Sequence, residues 1–186
     1  MNSSMTTVAI IGAGPLGRSL ALRAARAGLR VALEDVMPAN LRHAQEAMRT
    51  SLGEALASER AAPRVEFAST VEEAVREAEI AIDCVPDELE SKLEIFSLLD
   101  RMAPPRTILM TPLMAVSIAD LASCTYRAER CVAIAMNAKE LTTLPETGAV
   151  IPLVRTEKTL AEVEAAVAAF WRGMGCGVAF STDYGR

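Results

Sequence analysis

Near the N-terminus, Gly12-Ala13-Gly14-Pro15-Leu16-Gly17 forms a complete G-x-G-x-x-G, a pattern whose chemistry is the holding of phosphate. Gly12 permits a tight turn, Gly14 lets a pyrophosphate approach the backbone, and Gly17 lets a helix pack closely on a strand. A helix opening at Pro15 and Leu16 turns free N–H groups and a positive dipole end toward the phosphates. Pro15 suits that place, because an early helical position needs no donor and its φ is already helical. Asp35 follows Gly17 by 18 residues, near the spacing of about 20 expected for an acid that binds ribose hydroxyls. A carboxylate there disfavours a 2′-phosphate, and no Arg or Lys follows until Arg42. The cofactor expected is therefore NAD and not NADP. The competing reading is a glycine turn kept for packing, with Asp35 capping the next helix. The strand before the loop and the helix after it favour the nucleotide.

Other reactive groups are sparse. His43 is the only histidine; it falls on a helix after the second strand and reads as a surface residue. Asn137, Lys139 and Glu140 lie just past the sixth strand, at the sheet edge where open α/β proteins bind ligands. A desolvated lysine there can act as a base, and the competing reading is a polar loop. The four cysteines, Cys84, Cys124, Cys131 and Cys176, form no C-x-x-C pair, so neither a zinc site nor a disulfide framework is expected. The net charge of −5 and pI near 5.1 exclude partners gripped through phosphate backbones or anionic lipid. One tryptophan, two tyrosines and four phenylalanines offer no base-stacking platform. No basic n-region precedes an apolar run, and no apolar stretch approaches the length of a membrane span. A cytoplasmic protein without nucleic-acid or membrane partners is the expectation.

The elements that must position these groups alternate along the chain. Apolar runs at Val8–Ile11, Arg30–Leu33, Val65–Phe67, Ile80–Val85, Thr107–Met110, Cys131–Ala135, Val150–Val154 and Gly177–Phe180 read as strands. Helical spacing marks Leu16–Ala27, Ala39–Ser58, Val71–Glu77, the segment carrying Leu89, Leu93, Phe96 and Leu99, Ile118–Ala122, and Thr159–Gly173. The segment Asn137–Ala149, with Pro145 and Gly148, reads as a loop. Alternation of this kind implies parallel crossovers and a sheet covered on both faces. The expectation is a three-layer α/β fold with a doubly wound, mostly parallel sheet, forming one domain over residues 1–186.

Three segments in order carry a family resemblance: VAIIGAGPLGRSLALRAARAGLRVALEDV, AEIAIDCVPDELESKLEIFSLLDRMAPPRTIL and VSIADLASCTYRAERCVAIA. From about Val8 to Asp183 the chain resembles the NAD-binding Rossmann domain of the 3-hydroxyacyl-CoA dehydrogenases. The resemblance implies that the strand end Val85-Pro86-Asp87, with Lys92 five residues on, lies beside the nicotinamide half of the cofactor. An ordinary helix start with an acid in its first turn and a solvated lysine is the competing reading of Asp87 and Lys92.

The departures concern chemistry. Where the family carries Asn-Thr-Ser to hold the substrate oxygen, this chain has Pro112-Leu113-Met114. The family's catalytic histidine, in H-F-F-N, aligns with Ala135 of Ala135-Met136-Asn137-Ala138, and its partner glutamate with Pro152. The chain ends at Asp183-Tyr184-Gly185-Arg186, near where the family's helical C-terminal domain would begin. Met110, Leu113, Met114, Ala135 and Met136 are expected to convert a polar catalytic floor into an apolar one. The implied protein is an NAD(H)-binding domain without the family's mechanism, a sensor or accessory subunit read by a protein partner. The alternative is an oxidoreductase rewired around Asn137 and Lys139, acting on a 3-hydroxyacyl or 3-oxoacyl thioester or a small carbonyl compound. A scaffold that no longer uses the nucleotide is a third. A homodimer is expected, with the Trp171 helix as one candidate face.

Overall fold

The structure, a computed structural model, describes residues 6–56, 65–113 and 115–183. Strands and helices alternate as β1 (Thr7–Ile11), α1 (Pro15–Arg26), β2 (Arg30–Glu34), α2 (Pro38–Leu56), β3 (Val65–Ala68), α3 (Val71–Val75), β4 (Ile80–Asp83) and α4 (Leu89–Met102). There follow β5 (Ile108–Pro112), α5 (Ile118–Ser123), a single 3-10 turn (Ala128–Arg130), β6 (Cys131–Ile134), α6 (Ala138–Thr142), β7 (Val150–Thr156), α7 (Ala161–Gly173) and β8 (Gly177–Asp183). The eight strands form one sheet in the order β3-β2-β1-β4-β5-β6-β7-β8. Every neighbouring pair is parallel except β6 with β7. This is the doubly wound, mostly parallel Rossmann arrangement, with its topological switch between β1 and β4, where a crevice must open.

Strand alternation divides the core into two layers. Val8, Ile10, Val31, Leu33, Ile80 and Ile82 face α1, α2 and α7. On the opposite face Ala9 sits level with Ala32 and with Ala81. This row of small side chains packs with Ile95, Phe96 and Leu99 of α4. Large branched residues on one face and alanines on the other let the two helical layers approach to different depths.

Two expectations are corrected here. The stretch 137–149 is not all loop: Asn137 starts α6, its carboxamide oxygen accepting from the Glu140 N–H at 3.0 Å while the Asn137 N–H donates to the Glu140 carboxylate at 2.8 Å. This reciprocal capping box supports a helix too short to show hydrophobic periodicity. The Trp171 face of α7 is not available for a dimer, because Trp171 is fully buried and Phe170 nearly so. The end expected for the second helix at Ser58 and the apolar role expected of Met114 lie outside the described residues. Among the described residues, no helix is long and apolar enough to cross a membrane.

Candidate dinucleotide site

A cavity of about 1000 Å³ runs across the carboxyl ends of the strands at the switch point. Its near wall is the glycine loop: Gly12, Gly14, Pro15 and Leu16 line it. Gly12 has φ +103°, the left-handed region that glycine adopts without a steric penalty. A Cβ on Gly14 would meet nothing within 4 Å, so that backbone stands open toward the cavity. Gly17 works from behind. A Cβ there would lie 1.8 Å from the Gly12 carbonyl oxygen, so the approach of α1 to β1 requires its absence. These observations fit a pyrophosphate resting on the start of α1.

Asp35, expected from its spacing to bind ribose hydroxyls, stands at the tip of β2 on the cavity wall. Its Oδ2 accepts from the Ala13 N–H at 2.8 Å and from the Asn40 carboxamide at 3.0 Å, and its Oδ1 from the Met37 N–H at 2.8 Å. The carboxylate thus ties the glycine loop to the start of α2 and still has one lone pair at Oδ1 for a hydroxyl. No motif singles out its neighbour, Glu34. It is 2% exposed, lines the same cavity, and its Oε1 has no hydrogen-bond partner. Burial, and after it the nearby Asp35 charge, push its carboxyl up to about 7.

The opposite wall is Cys84, Val85, Pro86 and Asp87, as the resemblance implies for the last three. Lys92 is not part of it. The side chain is fully buried, and its Nζ donates to Asp83 Oδ2 at 2.9 Å and to the Val85 carbonyl at 3.1 Å. It is not the solvated lysine of the competing reading, and it does not line the cavity. Asp83 also accepts from the Thr111 hydroxyl at 2.9 Å and the Val85 N–H at 2.8 Å. Burial raises the Asp83 carboxyl above its ordinary range, and Lys92 pulls it back. This network ties Lys92 and Asp83 to the backbone at Val85, which lines the cavity with Pro86. Burial also pushes the Cys84 thiol well up, leaving it protonated and unreactive.

At the far end the cavity meets Pro112, Met136, Asn137, Ala138, Lys139, Thr142 and Thr143. Met110 and Leu113, expected in an apolar floor, instead lie buried in the two opposite core layers. Asn137 spends its carboxamide oxygen on capping α6. Arg23 of α1 holds this end from outside: its guanidinium donates to the carbonyls of Leu144 at 3.0 Å, Glu146 at 3.1 Å and Met174 at 3.1 Å. Ala135 and Pro152, the positions matched to the family's base and acid, do come together. The Ala135 N–H donates to the Pro152 carbonyl at 2.9 Å. His43 is exposed on α2 and is not among the cavity-lining residues.

Comparison with known proteins agrees with this geometry. Residues 7–181 match the model of the 3-hydroxyacyl-CoA dehydrogenase family's NAD-binding domain. A probable 3-hydroxybutyryl-CoA dehydrogenase of Bacillus subtilis is 30% identical over 133 residues, 67% of this chain and 46% of that protein. The 5-formyl-3-hydroxy-2-methylpyridine 4-carboxylate 5-dehydrogenase of Mesorhizobium japonicum is 28% identical over 174 residues, 90% of this chain and 54% of that one. The chain thus spans about half the length of these relatives. Among solved structures, the (S)-3-hydroxybutyryl-CoA dehydrogenase of Ralstonia eutropha superposes with a TM-score of 0.81 at 22% identity, covering 97% of this chain and 65% of that one. At that identity the likeness speaks for the fold. The family match, the glycine loop and the acid at the tip of β2 agree that this chain belongs to the 3-hydroxyacyl-CoA dehydrogenase family, of which it carries the NAD-binding domain.

Proposed function

We propose that this domain binds NAD or NADH in the switch-point cavity and does not carry out the family's dehydrogenase reaction, acting as a nucleotide-occupancy sensor or accessory subunit. The observation that carries this reading is Ala135, whose side chain is only a methyl group where the resemblance places the base, paired through its backbone N–H with the backbone carbonyl of Pro152, where it places the orienting acid. Oxidising a 3-hydroxyl requires a proton acceptor within hydrogen-bond reach, and a histidine is suited to that task near neutral pH. Neither Ala135 nor Pro152 has a titratable side chain. When bound, NAD would supply a hydride acceptor. The residues that would hold it are Gly12, Gly14, Pro15, Leu16 and Asp35 at one end and Val85, Pro86 and Asp87 at the other, with Gly17 supporting the loop.

Calorimetric titration tests the binding. NAD and NADH are expected to bind at least tenfold more tightly than NADP, and Asp35→Ala is expected to remove most of that preference. No heat at millimolar dinucleotide would leave only a scaffold. The second reading, an oxidoreductase rewired around Lys139, rests on the place of Lys139 on the cavity wall. NADH mixed with acetoacetyl-CoA is expected to show no protein-dependent loss of absorbance at 340 nm. Turnover that disappears in Lys139→Ala would reverse the ranking. Self-association belongs to the same proposal. The exposed apolar side chains Val36 and Met37, at the cavity mouth and just beyond it, support it, and light scattering reads it.

A further inference from the structure

Resting on the NAD reading, the structure points to a second, separate determinant at the nucleoside end of the cavity. Asp35 and Glu34 are adjacent, but strand alternation sends their side chains to opposite faces of β2. Asp35 turns toward the glycine loop, where it accepts from Ala13. Glu34 lies level with Ile11 and Ala68, on the face whose core includes Ala32, Ile95 and Phe96. There the cavity is walled by Ile11, Val71, Val85, Ile95 and Leu98. A flat aromatic base suits such an apolar chamber, and a ring joined to a ribose held at Asp35 has this chamber beside it. Glu34 brings to it a buried oxygen without a partner, a destabilising state that a ligand donor would relieve.

We propose that Glu34 is the base-reading residue of this site, its carboxyl group pairing with the amino edge of the adenine ring. The neutral carboxyl is the complementary form: its O–H donates to adenine N1, and its carbonyl oxygen accepts from the 6-amino group. With the Glu34 carboxyl held at about 7, both forms are populated near neutral pH, and the ionised form loses the donor. The other titratable groups on the cavity are Asp35 beside it, the protonated Cys84 thiol after β4, Asp87 before α4, Glu94 on α4 and Lys139 on α6. Of these, Asp35 is the one whose charge acts on Glu34. Dinucleotide affinity should therefore fall as pH rises through about 7, and binding should take up protons.

Calorimetric titration with NAD at pH 6.0 and pH 8.5 tests this on the whole chain, alongside Glu34→Gln and Glu34→Leu. Circular dichroism serves as the check on folding, and the ethenoadenine analogue of NAD, whose N1 and amino group are blocked, is the control ligand. The unchanged protein is expected to bind NAD up to about thirtyfold more weakly at pH 8.5 than at pH 6.0, following loss of the neutral carboxyl. Glutamine reproduces the neutral acid's donor and acceptor, so Glu34→Gln should keep the pH 6.0 affinity at both values. Glu34→Leu should bind weakly at both and should not distinguish NAD from the etheno analogue. A Glu34→Gln variant as pH-dependent as the unchanged protein overturns the inference, as does a Glu34→Leu variant with undiminished preference for NAD. If Glu34→Leu does not fold, the pH profile of Glu34→Gln decides alone. Absence of NAD binding by every form at both pH values would instead overturn the NAD reading, and the inference with it.

Discussion

Lys92→Met is expected to cost about 3–5 kcal/mol of stability, the range for removing one partner of a buried ion pair. Lys92 and Asp83 are both fully buried, with 2.9 Å between Nζ and Oδ2. Without the ammonium, the Asp83 carboxylate keeps only the Thr111 hydroxyl and the Val85 N–H. Its charge is then stranded in a low-dielectric interior, which raises its pKa further. The sign of the pH effect follows. A carboxyl whose folded pKa lies above its unfolded value favours the folded state at low pH and loses that contribution as pH rises through the folded value. Lys92→Met should therefore be closer to the unchanged protein at pH 5 than at pH 8. Adding Asp83→Leu should recover most of the loss, because an apolar pair of similar volume often matches a buried ion pair in stability. Urea unfolding at the two pH values reads all of this. A cost under about 1 kcal/mol for Lys92→Met at pH 8 would show that the pair does not carry the wall of the cavity.

The second large effect separates two glycines of one loop. Gly17→Ala would place a Cβ 1.8 Å from the Gly12 carbonyl oxygen and 3.4 Å from a methyl of Ile10. Backbone cannot step aside as a flexible side chain can, so α1 must move off β1. A cost of at least about 1–3 kcal/mol is expected, as for other overpacked sites, with dinucleotide affinity lost as the loop distorts. Gly14→Ala should behave oppositely. Gly14 has φ −67°, and a Cβ would meet nothing within 4 Å, so stability should change by less than about 1 kcal/mol. That methyl group would nevertheless stand on the cavity surface where a pyrophosphate must approach, and binding should fall at least tenfold. Thermal unfolding and NAD titration of the two variants read the contrast. Loss of binding in Gly17→Ala with unchanged stability would contradict it.

Much of this was legible from the sequence because the signals are local. The glycine loop, the strand before it and the acid after it lie within one short stretch of chain, and each residue type has one dominant physical reason to be there. The strands were legible as apolar runs with abrupt ends at Gly12 and Pro86. Lys92 was not. A lysine two residues after Glu90 in an otherwise amphipathic helix looks solvated, and only the folded chain brings Asp83 and Thr111 to it. The helix at 138–142 could have been found, since Asn137 with Glu140 three residues later is a capping-box signature. Periodicity is blind to so short an element. Glu34 was visible only as a neighbour of Asp35, and its separate role follows from the pleat, which turns adjacent side chains to opposite faces. Met110 and Leu113 were expected together in one surface, and the same alternation parts them.

The central place of β1 has a consequence for how the protein is made. Val8 pairs with Val31 on one side and with Ile80 on the other. A ribosome delivers the chain from its N-terminus, at about 5–20 residues per second. The glycine loop and its acid are complete once β2 has emerged. The Cys84–Asp87 wall and its buried Asp83–Lys92 support exist only after α4 has been synthesised. In the interval β1 presents an open edge, the state in which nascent sheets are prone to wrong pairing. Dinucleotide in the cell can stabilise the finished sheet by mass action, but it arrives too late to guide the strand pairing that builds its own site.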